Sequence, residues 1–265
     1  MLEGGLTEVA ARGREIAPAL LWSAALIVGV GYAARSARRA GLDGREAYWA
    51  AVCAVARGLI GGRLLAAVLY GGGRSDGAGL LAGGRTFYGG LLAGAVGFFA
   101  YLRARRLPSL AYADAAAPAC ALAYGVGRIG CFFNGDDYGI PARGLLAVRF
   151  GPGTDAYADQ LRRGLIPAGA RWAEPVLATP LLHAALGFAL FLLLRRSWGR
   201  PGARLGVFAL AYGAGRFGLE ALRGDVISLL GPLSVHQGLS VLLVGAGGLL
   251  IVRGRRAAPQ LVPAE

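Results

Sequence analysis

Charged and polar side chains stand at the end of a long apolar segment in the stretch GRIGCFFNGDDYG, Gly127 to Gly139. Arg128 lies inside the apolar segment, and Asn134, Asp136 and Asp137 follow it. A guanidinium group in an apolar setting can bind an anion through paired hydrogen bonds. A carboxyl group beside it can orient the arginine or take up a proton. The stretch therefore predicts one wall of an anion-binding site.

A second stretch, YGAGRFGLEALRGD, carries Tyr212, Arg216 and Glu220 at intervals of four residues. On a helix these side chains share one face, so Arg216 and Glu220 can pair with each other. Desolvation makes such a pair costly inside a membrane, which favours a functional site over a purely structural ion pair. Arg223, one turn further on, is predicted to meet lipid headgroups at the surface.

The composition of the chain indicates which solvent these groups meet. Hydrophobic residues make up 55% of the 265 residues and charged residues only 16%, as in a membrane protein. The net charge of +13 comes from arginine, because the chain has no lysine. The arginines lie in short clusters between apolar runs, which is typical of cytoplasmic loops and argues against a nucleic-acid-binding face.

Seven apolar runs are long enough to cross a bilayer. They cover residues 16–34, 46–70, 87–104, 111–133, 176–194, 205–222 and 233–252. We therefore predict an all-α membrane protein, a bundle of about seven transmembrane helices. Residues 1–265 form a single transmembrane domain with an extracytoplasmic insertion at about 135–175. Arginine-rich loops lie on the side of the C-terminus, which predicts a cytoplasmic C-terminus and an extracytoplasmic N-terminus.

This topology brings the polar residues of several spans to the extracytoplasmic end. Arg63, Arg128 and Arg216 are then expected near Glu220, at the level of further polar groups of neighbouring spans, Tyr88 and His183. Arginines in excess of carboxylates need an anion, and a lipid phosphate is the one available at that depth. Arg57, nearer the middle of its span, has no role predicted beyond packing or pairing.

Histidines and cysteines show no metal-ligand or disulfide spacing. Neither His183 nor His236 has a second histidine or an acidic partner at ligand spacing, and a lone histidine at a helix start is more often packed or interfacial. These residues therefore give no signal of a metal site.

These segments resemble the prolipoprotein diacylglyceryl transferase family over nearly the whole chain. GRIGCFFNGDDYG matches a signature usually written close to GRxGNFxNGExxG. Agreement continues in order along the chain, in GGR at Gly61 to Arg63, FYGGLLAG from Phe87, YGAGRFGLEALR from Tyr212 and HQGLS from His236. The seven-helix topology with an extracytoplasmic N-terminus is also that of the family.

The resemblance implies an enzyme of the bacterial cytoplasmic (inner) membrane. The reaction would transfer the diacylglyceryl group of phosphatidylglycerol to the lipobox cysteine thiol of preprolipoproteins, whose signal peptides would be partners together with membrane lipids. Arg128 and Arg216 would stabilise the phosphate, with Glu220 orienting Arg216. The substrate-binding residues would be Arg63, Asn134, Gly135, Gly139, Tyr212 and Arg223. The resemblance implies no metal and no soluble cofactor.

The chain departs from the family pattern on the side expected to activate the thiol. Tyr88 stands where the family has a histidine, Cys131 replaces an asparagine, and Asp136 stands where a glutamate is usual. His183 occupies the position of a family glutamate, and Trp22 falls near an expected tyrosine. The hypothesis is a rebuilt base, with His183, Asp136 or Tyr88 as candidates. Cys131 as a covalent nucleophile, another acceptor, loss of activity, or transport of an anionic lipid remain alternatives.

Overall fold

A computed structural model describes residues 4–70, 87–196, 200–224, 228–230 and 233–256. The described part of the chain is mostly helical. Its helices are α1 (Gly4–Gly13), α2 (Ala17–Arg39), α3 (Gly44–Tyr70), α4 (Phe87–Ala104), α5 (Ser109–Asn134), α6 (Asp155–Arg162), α7 (Thr179–Leu194), α8 (Ala203–Glu220) and α9 (Val235–Arg256). Its strands are β1 (Ala147–Val148), β2 (Val176–Leu177), β3 (Ser228–Leu230) and β4 (Leu233–Ser234).

Each of the seven predicted apolar runs overlaps one helix of the structure, although most of these helices extend beyond the predicted bounds. Among the described residues, four helices are long and apolar enough to cross a membrane: Ala17–Arg39, Gly44–Leu65, Ser109–Asn134 and His236–Arg253. Gly89–Ala104 and Thr179–Leu194 are shorter apolar helices. The structure confirms a mostly helical membrane protein, and the number of spans and their orientation stay predictions.

Two predicted runs begin as strands and not as helices. Val176–Leu177 pairs with Ala147–Val148 in an antiparallel ladder, and α7 starts only at Thr179. Pro180 follows in the first turn of α7, where its missing N–H costs nothing. Leu233–Ser234 likewise pairs with Ser228–Leu230 before α9 begins. Both corrections bring an extended backbone to the same end of α5 and α8, where the polar residues cluster.

Residues Gly29–Ala119 form one of two compact units. Helices α3 and α4 pack closely along glycines, as the abundance of this residue predicts. A Cβ at Gly61 would lie 2.7 Å from the carbonyl oxygen of Gly89, and one at Gly97 would lie 2.6 Å from Cδ of Arg57. The stem of Arg57 therefore packs over Gly97, which gives this arginine the packing contact left open by the sequence.

The other unit comprises Met1–Val28 and Cys120–Glu265. Here the beginning of α2 contacts the end of α5: a Cβ at Gly130 would lie 2.7 Å from Nε1 of Trp22. Gly127, also expected to allow close approach, has only an ordinary contact at 3.9 Å. Of these two glycines, therefore, only Gly130 is required by close packing.

The segment between α5 and α7 is folded. It contains β1, α6 and β2, and its apolar side chains join a buried cluster with the ends of the flanking helices: Ala10, Phe132, Tyr138, Val148, Phe150, Ala156, Val176 and Ala178. Thr154 caps α6 by accepting a hydrogen bond from the Tyr157 backbone N–H at 3.3 Å. The position of this segment outside the cytoplasm, and the single-domain organisation, stay predictions.

Candidate active site

Asp137 joins two arginines from different helices. Helix α5 ends at Asn134, and Gly135 (φ 73°) and Asp137 (φ 53°) both take left-handed backbone conformations, which glycine and aspartate tolerate better than most residues. This turn folds the Asp137 carboxylate back toward α5, where it accepts a hydrogen bond from Nη1 of Arg128. Its other oxygen pairs with Nη2 of Arg223 at 2.5 Å.

Glu220 is a second acceptor at the end of α8. It pairs with Arg216 one turn earlier, as the four-residue spacing predicts. It also accepts a hydrogen bond from Oγ of Ser234 at 2.9 Å and lies 3.2 Å from Nδ1 of His236. Arg223 reaches the same carboxylate with its Nε at 4.0 Å, and so links the two acidic groups.

We call Arg128, Arg216, Arg223, Asp137 and Glu220 the arginine network. Arg128 and Arg216 are buried, and the side chain of Arg223 is only 7% exposed. The expectation that Arg223 meets the surface is therefore wrong, because Asp137 pairs with it inside the protein. The network holds three cations and two carboxylates, so one positive charge is not balanced within it.

Backbone pairing fixes the ends of α5 and α8 against each other. Gly139 forms an isolated antiparallel bridge with Arg223, and its N–H donates to the Leu177 carbonyl at 2.9 Å. A Cβ at Gly139 would lie 2.8 Å from the carbonyl oxygens of both Leu177 and Leu222. Glycine is needed here because no side chain fits between the backbone segments that contain Leu177 and Leu222. Gly139, predicted to shape a headgroup pocket, thus aligns Asp137 with Arg223.

Aromatic rings form a wall beside the network. The guanidinium carbon of Arg128 lies 5.0 Å from the ring centroid of Tyr124, a cation–π contact. Tyr124 meets Tyr212 edge to face at 5.1 Å, and Tyr212 stacks on Phe208 at 5.6 Å. The hydroxyl of Tyr124 is 2.8 Å from Nδ1 of His183, which is fully buried. Tyr124 therefore connects His183 to Arg128.

Two buried nitrogen atoms of this region have no hydrogen-bond partner among the described residues. They are Nε2 of His183 and Nη2 of Arg216. A buried polar atom without a partner is costly, so such atoms point to a bound group. His183 and Arg216 belong to the same unit as the arginine network, and each retains a free hydrogen-bonding position.

The neighbouring residues Asp136 and Asp137 differ in ionisation. Burial raises the pKa of Asp136 to about 6, helped by the nearby charge of Asp137. Burial would also raise the pKa of Asp137, but Arg128 and Arg223 outweigh it and lower this pKa to about 2. Asp136 bonds instead to Nδ2 of Asn134 at 2.9 Å, and its Oδ1 is buried without a partner among the described residues. Asp137 is thus a fixed anion, whereas Asp136 can exchange a proton near neutral pH.

Cys131 brings a thiol to these two carboxyl groups. Its sulfur and one oxygen each of Asp136 and Asp137 lie within 4.8 Å of one another, close enough to consider a metal ion. The Asp137 carboxylate, however, already accepts hydrogen bonds from two arginines. The donor set is therefore not free to hold a cation, and the predicted absence of a metal stays a prediction.

The structure brings Arg128, Arg216, Glu220, Tyr212 and His183 into one connected region, as expected from the sequence. Asn134, Gly135 and Gly139 belong to the turn that carries Asp137. Arg63 and Tyr88 lie in the sequence of the other unit, and the side chain of Tyr88 lies outside the described residues. Their predicted roles stay predictions.

Several contributing residues were missed or misjudged from the sequence. Tyr124 was not singled out, although it lies four residues before Arg128 and therefore on the same helical face. Asp137 is predicted in the wall of the site but without a named partner, and Ser234 is not predicted there at all. His236 lies at the start of α9, 3.2 Å from Glu220, a contact that the sequence does not name. For His236 and Ser234 no local spacing gives a signal, because they meet Glu220 through the tertiary fold.

The helices and the arginine network define a helical membrane protein with a buried, cation-rich site. The family model described as prolipoprotein diacylglyceryl transferase matches residues 18–253. The chain belongs to this family, which confirms the resemblance found in its motifs.

Curated relatives agree with the family assignment. The chain is 32% identical over 157 residues to proteins named phosphatidylglycerol--prolipoprotein diacylglyceryl transferase from Streptococcus pneumoniae strains Hungary19A-6, G54 (serotype 19F) and ATCC 700669 / Spain 23F-1. The aligned residues cover 58% of this chain and 56% of each relative. The chain therefore spans about half the length of the curated relatives it matches.

Proposed function

We propose that this protein transfers the diacylglyceryl group of phosphatidylglycerol to the thiol of a lipobox cysteine in preprolipoproteins. The observation that carries the proposal is the arginine network, with its unbalanced positive charge and the unpaired Nη2 of Arg216. Family membership and the names of the curated relatives support the same reaction.

Charge balance suits the arginine network to the proposed leaving group. A phosphodiester carries one negative charge, which matches the one positive charge left over by three arginines and two carboxylates. As the carbon–oxygen bond breaks, negative charge grows on the departing phosphate, and fixed guanidinium groups in a water-poor site stabilise it. Arg216 would use its free Nη2 for this contact, while Glu220 holds the rest of its guanidinium group.

In the proposed reaction the thiol sulfur bonds to the glycerol carbon that carries the phosphate. The bond between that carbon and the phosphate oxygen breaks, and its electron pair leaves with glycerol phosphate. The thiol proton passes to a base. No further reactant is needed, and the products are a thioether and glycerol phosphate.

We assign the base to His183. Its Nδ1 can donate to the Tyr124 hydroxyl oxygen, which leaves a lone pair on the unpartnered Nε2. Asp136 is the second candidate, because its pKa of about 6 and its unpartnered Oδ1 also suit proton uptake. Tyr88 remains a candidate from the sequence alone.

The proposal includes the membrane arrangement expected from the sequence. Seven spans with an extracytoplasmic N-terminus in the bacterial cytoplasmic membrane would put the network at the outer leaflet, where both substrates are found. Cysteine accessibility labelling in intact cells tests this, with single cysteines introduced in the α5–α7 segment and, separately, between α2 and α3. Labelling of the second loop but not the first from outside would contradict the orientation.

The transfer is tested with purified protein, labelled phosphatidylglycerol and a lipobox peptide. We expect wild type to produce lipidated peptide, and Arg128→Ala or Arg216→Ala to lower the rate by about 100-fold or more, the scale for loss of one charge-stabilising donor. Arg143→Ala, at an exposed position of the α5–α7 segment, is the matched control and should keep the wild-type rate. Phosphatidylglycerol binding by the wild type without any lipidated peptide would refute the transfer and favour another acceptor or lipid transport.

The identity of the base is tested by replacing each candidate residue and by the pH profile of the same reaction. His183→Ala should lower kcat with little change in KM for phosphatidylglycerol, because the phosphate contacts remain. Asp136→Asn should leave the rate nearly unchanged if His183 is the base. If instead Asp136→Asn abolishes the rate and His183→Ala does not, the assignment moves to Asp136, and the wild-type rate should fall as the pH drops below about 6.

A further inference from the structure

A separate groove lies at the junction of α1, the end of α5 and the α5–α7 segment. Its volume is about 320 Å³, and it is lined by three arginines and three aromatic rings: Arg14, Arg149, Arg171, Phe133, Phe150 and Trp172. No residue of the arginine network lines it. Among the described residues that line the groove, none is acidic, so its charge is not balanced locally.

Two of the three groove arginines, Arg14 and Arg171, have side-chain contacts that position them. Nη1 of Arg14 donates to the carbonyl oxygen of Pro152, and its Nη2 lies where a Cβ at Gly153 would be. Gly153 has a φ of 84°, which favours glycine at this position. Arg171 lies 5.7 Å from the ring centroid of Trp172. The groove therefore presents positioned guanidinium groups beside aromatic surface.

The position of the groove along the helices favours a lipid as the source of an anion. Arg14 precedes the first residue of the candidate span Ala17–Arg39, and Phe133 lies in the last turn of the candidate span Ser109–Asn134. The ends of spans lie at the level of lipid headgroups. A few residues after Arg14 in the sequence, Ile16 is 66% exposed and Leu20 is 63% exposed, as expected of side chains that face acyl chains.

We propose that this groove is a second lipid site, which binds the phosphate of an anionic phospholipid at the membrane surface. The guanidinium groups of Arg149 and Arg171 contact the phosphate, Arg14 shapes the wall, and Trp172 lies at the boundary between headgroup and acyl chain. The same arginines would also bind free phosphate, and the experiment below distinguishes free phosphate from a lipid headgroup. The inference does not rest on the proposed transfer, because the groove and the arginine network share no lining residue.

The test measures amide hydrogen exchange of residues 149–172 in the full-length protein in nanodiscs. We expect slower exchange in phosphatidylglycerol than in phosphatidylcholine. Arg149→Gln/Arg171→Gln should abolish this difference, whereas Arg143→Gln/Arg162→Gln, which removes the same charge from exposed positions of the segment, should keep it. Titration with short-chain phosphatidylglycerol should give an apparent Kd about 30-fold higher for the groove variant, since each arginine near a lipid surface contributes about fivefold.

Three outcomes would overturn the proposal. Equal exchange of the wild type in the two lipids would mean that no anionic headgroup binds here, whatever the variants do. Equal loss of protection in both double variants would indicate general surface charge and not a built site. Equal protection by inorganic phosphate or by an acidic peptide in phosphatidylcholine nanodiscs would assign the groove to that ligand and not to a lipid.

Discussion

Replacing Asp137 by asparagine removes the anion that joins Arg128 to Arg223. Asparagine has nearly the same shape, so the change tests charge more than packing. In the variant, Arg128 and Arg223 lose the carboxylate partner that joins them, although Arg223 still lies 4.0 Å from Glu220. Removing one partner from a buried ion pair is more damaging than never having the pair, because the remaining charge stays desolvated. We therefore expect Asp137→Asn to destabilise the fold.

The size of the effect follows from the pKa of Asp137. This pKa falls from its ordinary value of 3.8 to about 2 in the folded protein, which corresponds to about 2 kcal/mol of stability. Because the folded pKa is lowered, this contribution is fully present above pH 3.8 and is lost as the pH falls through about 2. At neutral pH the variant should unfold at a temperature about 4 to 8 °C lower, the shift expected for this free energy in a chain of similar size.

Asp136→Asn is the matched control: it is the same substitution at the preceding residue, and its expected effect on stability at neutral pH has the opposite sign. The pKa of Asp136 rises from 3.8 to about 6, so its charged form costs the folded state about 3 kcal/mol above pH 6. This cost falls as the pH drops from 6 to 3.8 and is absent below. After subtraction of about 1 kcal/mol for a weakened hydrogen bond to Asn134, the variant should be more stable than wild type at pH 7 by about 2 kcal/mol.

Thermal unfolding of the two variants in detergent, followed by intrinsic fluorescence at pH 4, 5, 6, 7 and 8, measures both effects. The loss in Asp137→Asn should be nearly constant over this range. The gain in Asp136→Asn should be largest at pH 7 to 8 and should turn into a small loss at pH 4, where little of the ionisation cost is left to relieve and the weakened hydrogen bond to Asn134 remains. Equal destabilisation by both variants would refute the reasoning, because it would mean that the turn needs both carboxylates for its conformation and that their charges are secondary.

Two further substitutions test the backbone that positions the network. Gly139→Ala should destabilise the fold by about 2 kcal/mol and lower the proposed activity, because the new Cβ would lie within 2.8 Å of two carbonyl oxygens. Gly31→Ala is its control, because nothing lies within 4 Å of the new Cβ. Thermal unfolding should show this control to be neutral or slightly stabilising. Tyr138→Phe removes a 2.6 Å hydrogen bond to the Asp159 carboxylate and should cost about 2 kcal/mol of unfolding free energy, with the pKa of Asp159 rising toward its ordinary value in NMR titration.

The helices and part of the site could be predicted from local patterns. Apolar runs of sufficient length predict helices whatever their neighbours do, and a helix of the structure overlaps each run. The pairing of Arg216 with Glu220 follows from their four-residue spacing, which a helix converts into proximity. Such predictions succeed because the interaction is contained within one element.

Other contacts of the site depend on how separate elements meet. Ser234 and His236 reach Glu220 only because β3 and β4 turn the chain back before α9 begins. Tyr124 is a second residue whose contact partner could not be predicted from local spacing. Its place on the face of Arg128 was available from the spacing, but its hydrogen bond to His183 depends on the packing of α5 against α7. Helical periodicity predicts which side chains share a helix face, but not which residues of other elements they contact.

The conformation of the turn after α5 explains why Asp137, and not Asp136, binds the arginines. Family resemblance drew attention to Asp136, which stands at the glutamate position of the signature. Two adjacent residues in a turn point in different directions, and the left-handed φ of 53° at Asp137 directs its carboxylate to Arg128 and Arg223. Asp136 is left beside Asn134 with one oxygen unpartnered among the described residues. A difference of one residue thus separates a permanent counter-ion from a group that titrates near neutral pH, and only the backbone conformation decides between them.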